Sequence, residues 1–426
     1  MTLVSQNSKL DPVNSRYWTS HCVPPLISLM KSSGSYSDAD QEAQLRILAE
    51  HVIPNLGPSP SMATSPSLLT QSGSPFQLSL NTSSSGNRVR YCWEMLGYNG
   101  GTDSDPLAIQ AARTIVASLS ITFGFTNKWS DVLLSAFAIS RNEAQDVIAR
   151  LPEWLENFVP RGVKAAPLRR IPFALIAFDL KGASASVKLY INPKAKEIVT
   201  GVPAASTVWG ILRTLAPSFN RTAIDMLEKF LARSPVTCPI ELIGIDCVDE
   251  TQLSDARVKL YVHTRSNCFN TVYNYVTLGG QLCDEETNNG LAILRSIWHL
   301  LLQEPGGSIE NDYEKPVNDA SILCQKLYFS FELQPGKEFP KVKTYLPTWN
   351  YVRSDEETVL NYEEIFRKCH HPWGDEGRYG KIFTDAFGPA NHDRKKPVHC
   401  DASFLFTDKT GVYQTLYYSQ PLRKLE

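Results

Sequence analysis

Between residues 256 and 263 apolar and polar positions alternate: Val258, Leu260 and Val262 share one side, and Arg257, Lys259, Tyr261 and His263 the other. Alternation with period 2 predicts a half-buried strand with one apolar face and one basic, phenolic face. The pattern recurs four times. Arg88, Arg90, Cys92 and Glu94 oppose Val89, Tyr91 and Trp93. Ser186, Lys188, Tyr190 and Asn192 oppose Val187, Leu189 and Ile191. Lys341, Lys343 and Tyr345 oppose Val342, Thr344 and Leu346, and Tyr413, Thr415 and Tyr417 oppose Val412, Gln414 and Leu416. Each of these is the second strand of a predicted pair: 75–81 with 87–95, 173–180 with 185–192, 239–247 with 256–263, 325–333 with 340–347, and 400–406 with 412–418.

Helical spacing of apolar residues fills the intervals, at 1–55, 106–158, 207–233, 284–304, 355–368 and 379–387. Residues 56–86 are rich in Ser, Pro, Gly and Thr and predict a long loop around the first strand. Strand pairs separated by helical sequence are a repeat of architecture rather than of close sequence. Helices lying across the sheet bury its apolar face, so the polar faces point the other way. Ten antiparallel strands in succession can close on themselves and remove both edges, which turns the polar faces into the wall of one lumen. The alternative is an open sheet with its polar face in solvent. Such a face mixes acids with bases, whereas the second strands carry cations, tyrosines and a single carboxylate, Glu94. The expected fold class is α+β: a ten-stranded antiparallel barrel surrounded by helices.

A formal net charge of −2 over 426 residues argues against a general nucleic-acid or membrane-surface binder, so an anion site must come from local clustering. The polar N-terminus lacks the apolar core of a secretory signal, and no run is long enough for a membrane span. Nine cysteines without CxxC pairs read as reduced thiols, and the expected location is the cytoplasm.

Lys188, Arg257, Lys259 and Lys343 on neighbouring strands form such a cluster. Arg presents a planar fork and Lys a point charge, and both suit phosphate oxygens; a diphosphate fits the charge count. Alternatively each cation pairs with an acid from the first strands, namely Asp179, Asp246 or Glu332. Tyr190, Tyr261, Tyr345, Tyr413 and Tyr417 share the same faces. Aromatic faces attract a cation by roughly 0.5–2 kcal/mol each. Cations to hold a leaving anion, with phenols around the carbon left behind, describe a site that ionises an allylic diphosphate and keeps water from the carbocation. Glu94 can accept a hydrogen bond from an indole N–H or a phenol, or receive a proton. Cys369, His370, His371, Asp375 and Glu376 match no standard zinc spacing. Aspartate-rich DDxxD motifs are absent, so side-chain cations rather than a metal must neutralise a bound diphosphate.

The chain resembles the fungal indole (dimethylallyltryptophan-synthase-like) aromatic prenyltransferases. The likeness is carried by Arg88-Val-Arg-Tyr-Cys-Trp-Glu94, Lys188-Leu-Tyr190, Arg257-Val-Lys-Leu-Tyr-Val-His-Thr264, Phe331-Glu-Leu-Gln-Pro-Gly336, Lys343-Thr-Tyr345 and Tyr413-Gln-Thr-Leu-Tyr-Tyr-Ser419, in order over roughly 75–420. The resemblance implies a barrel of five ααββ units. It also implies metal-independent Friedel–Crafts alkylation of an aromatic metabolite by an allylic diphosphate, with no cofactor required. Glu94 is implied as the catalytic residue holding the acceptor N–H, Lys188, Arg257, Lys259 and Lys343 as the diphosphate site, and Tyr190, Tyr261, Tyr345, Tyr413 and Tyr417 as the tyrosine shield. Tyr328, fifteen residues before Lys343, stands where the family has a donor-size gatekeeper and favours the five-carbon dimethylallyl donor. One domain is expected over 1–426, with a helical extension and loop at 1–70 and the barrel with its helical ring at 71–420. Its partners are the two small substrates, with no nucleic acid and no membrane, in a monomer or homodimer. Three departures separate the chain from tryptophan-using members. The diphosphate Arg expected about eleven residues after Glu94 falls near Asp105, no Arg occurs in 234–256 to meet an amino-acid carboxylate, and the basic residue proposed for proton removal falls near Leu175. A larger indole or a phenolic metabolite is therefore the expected acceptor. A non-catalytic barrel that binds an anionic aromatic ligand is the other reading, and a metal hydrolase built on 369–376 a third.

Overall fold

The computed structural model describes residues 12–422 except 64, 157–158, 160–163, 165–169, 234–239, 305, 308, 320–325 and 391–396. Ten strands form one closed antiparallel barrel: β1 (Phe76–Ser83), β2 (Gly86–Glu94), β3 (Ala174–Lys181), β4 (Ser184–Ile191), β5 (Ile240–Cys247), β6 (Val258–Thr264), β7 (Leu327–Leu333), β8 (Lys341–Leu346), β9 (His399–Thr407) and β10 (Gly411–Tyr418). Each strand pairs with its neighbours in sequence, and β1 closes the cylinder against β10 with Leu78 opposite Tyr418. The five pairs and the barrel are those expected from the alternation, with ends shifted by a residue or two. Arg257 lies just before β6 rather than inside it. The expected strand residues 239 and 325, and the expected helical positions 1–11 and 157–158, fall outside the described residues.

Helices occupy every interval between pairs. The run expected at 207–233 is two helices, Ala204–Thr214 and Arg221–Arg233, and Lys194–Thr200 and Phe269–Val276 are helices the sequence reading did not anticipate. Both of the latter are short, and a stretch of two turns carries too few apolar repeats to stand out. The outward barrel face is fully buried against this ring at Leu80, Val89, Tyr91, Trp93, Ile176, Phe178, Leu189, Leu260, Phe329 and Phe331. The N-terminal helix Pro12–Ser33 buries Trp18, Cys22, Leu26 and Leu29, the i, i+4 stripe of a core-facing helix, in the same apolar core. Gln44, in the next helix, donates to the carbonyls of Gly182 and Ser184 at 2.7 Å and so ties down the β3–β4 turn. Asp355 at the start of helix Asp355–Lys368 accepts from the backbone N–H of Val398 and His399 and meets the His399 ring at 2.7 Å, which fixes the start of β9.

Candidate active site

Residues directly opposite one another in antiparallel strands share a face. Register therefore assigns the inner wall. Arg90 faces Asp179, Glu94 faces Leu175, Lys188 faces Asp246, Lys259 faces Glu332, Tyr261 faces Ser330, Tyr345 faces Tyr328 and Tyr417 faces Asp401. All the proposed site residues from β2, β4, β6, β7, β8 and β10 fall on this wall, and Arg257 joins it from the approach to β6. The wall is layered. Basic and acidic groups occupy one end, tyrosines the middle, and Glu94, His263, Tyr328 and Asp401 the other end.

The basic layer differs from an unpaired cluster. Asp179 forms ion pairs with Arg90 and Lys188. Arg257 holds Asp246 through both Nε (2.5 Å) and Nη2 (3.1 Å) and reaches Glu332 at 3.2 Å, and Lys259 contacts Glu332 at 3.0 Å. First-strand acids thus neutralise part of the charge, because buried cations without water or counterions are costly, and Glu94 is not the lone acid of the lumen. Cations still outnumber acids here: Arg90, Lys188, Arg257, Lys259 and Lys343 face Asp179, Asp246 and Glu332. Lys343 makes no ion pair among the described residues; its Nζ donates to Thr415 Oγ1 at 3.2 Å and sits 4.7 Å from the ring centre of Tyr413 and 5.3 Å from that of Tyr345. Burial and the positive charges of Arg90, Lys259 and Lys188 press the Lys343 ammonium well below its usual value. Burial and Arg90 likewise push Lys188 down to about 7, against the pull of Asp179. Burial would raise Asp179, but Arg90 and Lys188 overcome it and hold the carboxylate far below its usual range. A dense anion entering this layer relieves both lysines.

The tyrosines form a chain of ring contacts. Tyr190 meets Tyr261 edge-on at 5.9 Å, Tyr261 meets Tyr345 at 5.8 Å, and Tyr345 lies 6.3 Å from Tyr417. Gly244 makes room for the first contact: a Cβ there would come within 3.0 Å of the Tyr190 ring. Burial raises all four phenols well above their usual value, so the rings stay neutral. Tyr328 stacks on Tyr345 at 4.7 Å and on His263 at 5.1 Å. Tyr413 flanks Lys343 rather than the tyrosine chain.

Glu94 is almost wholly buried, at 1% exposure. Arg170 forks onto both its oxygens, and Ser67 donates to Oε2 at 2.6 Å. A carboxylate offers about four acceptor positions, so one remains for an acceptor donor group. Leu175, directly across from Glu94, leaves that spot apolar. Asp105 lies away from the basic layer and accepts from the Ala111 N–H at 2.9 Å.

Three inward groups escaped the sequence reading. Arg90 sat on the aligned polar face without being assigned a role; its pairing with Asp179 depends on the β2–β3 register, which bridges an interval of three helices. Arg170 lies just before β3 and belongs to no strand pattern. Asp401 stands on a first strand, outside the five second-strand faces that carry the alternation. The 369–376 stretch lies outside the barrel, where His371 accepts from the Trp373 N–H and contacts Asn87 at 3.1 Å. No group of three or more His, Cys, Asp or Glu arranged for a metal occurs among the described residues.

The chain is similar to known proteins over most of its length. The family model for tryptophan dimethylallyltransferase matches residues 14–380. An indole diterpene prenyltransferase of Epichloe festucae var. lolii is 61% identical, covering 95% of this chain and 92% of the relative. Another from Tolypocladium album is 59% identical, covering 96% and 94%. Among solved structures, AnaPT from Neosartorya fischeri superposes with a TM-score of 0.79 at 23% identity over 98% of this chain and 97% of that one. NotF in complex with brevianamide F and DMSPP superposes with a TM-score of 0.76 at 21% identity, covering 99% of each chain.

Proposed function

Because the chain belongs to the tryptophan dimethylallyltransferase family and is an aromatic prenyltransferase, we propose that it moves a dimethylallyl group onto the indole of a terpenoid-bearing acceptor. The observation that carries this reading is the layering of the lumen: an excess of cations at one end, directly below a chain of neutral phenols. In the proposed reaction the diphosphate rests on Lys188, Arg257, Lys259 and Lys343, joined by Arg90. The allylic C–O bond breaks and its electron pair stays on the diphosphate. Tyr190, Tyr261, Tyr345, Tyr413 and Tyr417 face the resulting cation and keep water from it. The acceptor ring attacks, its N–H held by the free lone pair of Glu94, whose orientation Arg170 and Ser67 set.

Two relatives named as indole diterpene prenyltransferases support the acceptor class. So does the apolar Leu175 across from Glu94, which offers an amino-acid substrate no charge at that point. Tyr328 limits the donor to five carbons. The side-chain cations take the part a metal ion plays elsewhere, and catalysis needs no added cofactor. Among the described residues no helix is long and apolar enough to cross a membrane. Incubation with dimethylallyl diphosphate, EDTA and a panel of indole diterpenes, simple indoles and free tryptophan tests the reading. Mass spectrometry is expected to show a mono-prenylated indole diterpene; turnover of tryptophan alone, or strict dependence on magnesium, contradicts it.

A further inference from the structure

Five carboxylates that register places on the inner wall among the described residues divide sharply. Glu94 is held by Arg170, Asp179 by Arg90 and Lys188, Asp246 by Arg257, and Glu332 by Arg257 and Lys259. The cations beside Asp179, Asp246 and Glu332 favour the anion over the acid and hold all three below their usual range, so these are poor proton acceptors. Asp401 makes no ion pair among the described residues. It lies at the acceptor end, across from Tyr417, and it is partly open to the lumen. The register slips at Tyr417 and Tyr418, so Cys400 is bulged and its thiol comes beside Asp401 Oδ2 at 2.8 Å. Bulges next to active sites re-aim side chains. Asp355, through Val398 and His399, pins the strand just before this bulge. The Cys400 thiol on its own strand and the Tyr328 phenol of β7 hydrogen-bond to Asp401, with Tyr417 on β10 and Tyr362 on helix Asp355–Lys368 close by; burial raises all four well above their usual values and keeps them neutral, while His263 of β6, itself near Glu241 and Lys194, stacks behind Tyr328.

We propose that Asp401 is the catalytic base that removes the ring proton after alkylation. The inference rests on the prenyltransferase reading above and adds the residue that ends the reaction. Once the ring carbon has given its electron pair to the new C–C bond, the C–H bond at that carbon breaks. Its electron pair restores the aromatic ring, and the proton passes to an Asp401 oxygen and later to water. Burial among neutral groups raises Asp401 to about 6. It is therefore mostly ionised at neutral pH yet more basic than Asp179, Asp246 and Glu332, as a base working near neutrality requires. His263, the other inward base at this level, is pressed by burial down to about 4 and is the weaker acceptor.

The test compares wild type with Asp401→Asn and Asp401→Glu, using the best-accepted indole of the panel in ring-protio and ring-deuterated forms. Asp401→Asn is expected to lower kcat about 100-fold or more while KM for dimethylallyl diphosphate stays within about two-fold, the donor being held elsewhere. The primary isotope effect on kcat should rise from near unity to above two, because proton removal becomes rate-limiting. The wild-type loss of activity as pH falls through about 6 should vanish in Asp401→Asn, and Asp401→Glu should restore both the small isotope effect and the acidic limb. An unchanged isotope effect and an unchanged acidic limb in Asp401→Asn overturn the assignment, whatever the rate, because a purely structural role leaves both untouched. Wild type that forms no prenylated product at all contradicts the underlying reading instead.

Discussion

Asp179 and Asp401 are the same residue type on the inner wall of the same barrel, each on the first strand of its hairpin, and their surroundings have opposite effects. Arg90 and Lys188 hold Asp179 as a permanent anion, whereas burial among thiol and phenol groups lifts Asp401 to about 6. One end of the lumen is built to hold charge, and the other to exchange a proton. What distinguishes the two aspartates is which strand stands beside each: β2 and β4 bring cations to Asp179, while β10 brings Tyr417 to Asp401.

The strongest break in this contrast is Asp179→Ala. It leaves Arg90 and Lys188 buried without their shared counterion, and stability is expected to fall by about 3–5 kcal/mol, measured by urea unfolding. Added inorganic pyrophosphate should restore part of the loss, because it replaces the missing negative charge. A variant as stable as wild type contradicts the pairing.

Lys343→Met probes the cation without an acid partner. Losing a charge-assisted contact of about 1.5–3 kcal/mol should weaken donor binding about 10- to 150-fold. Unfolding stability should hold or rise, since the buried ammonium is already disfavoured. Lower stability with undiminished affinity would place Lys343 in the scaffold. The smallest effect is expected at the tyrosine level: Tyr328→Gly opens space beside Tyr345 and should admit geranyl diphosphate with little change in dimethylallyl turnover. No gain of geranyl transfer removes Tyr328 from donor selection.

The barrel is legible in the sequence because strand side chains repeat with period 2. Lys188 and Tyr190, Lys259 and Tyr261, and Lys343 and Tyr345 therefore announce one shared face. The ion pairs are not fixed by the sequence, because Arg90 meets Asp179 only through the β2–β3 register and Lys259 meets Glu332 only through the β6–β7 register, long-range properties that alternation does not contain. Arg170 reaches Glu94 from outside any strand, so no periodicity points to it. Asp401 needed the slip at Tyr417 and Tyr418, a local irregularity invisible to a regular pattern.

The central claim, that the basic layer closes on one diphosphate, is tested most directly by calorimetry. The probe is the non-reactive donor analogue dimethylallyl thiolodiphosphate, titrated at pH 8 in two buffers of different ionisation enthalpy. Lys188, pressed by burial and Arg90 to about 7, is then largely uncharged in the free protein and becomes an ammonium group against the anion. Binding should therefore take up protons at pH 8, take up fewer at pH 6 where Lys188 is already charged, and lose much of the uptake in Lys188→Met. Binding with no proton exchange at pH 8, or equal affinity in Lys188→Met, contradicts the account.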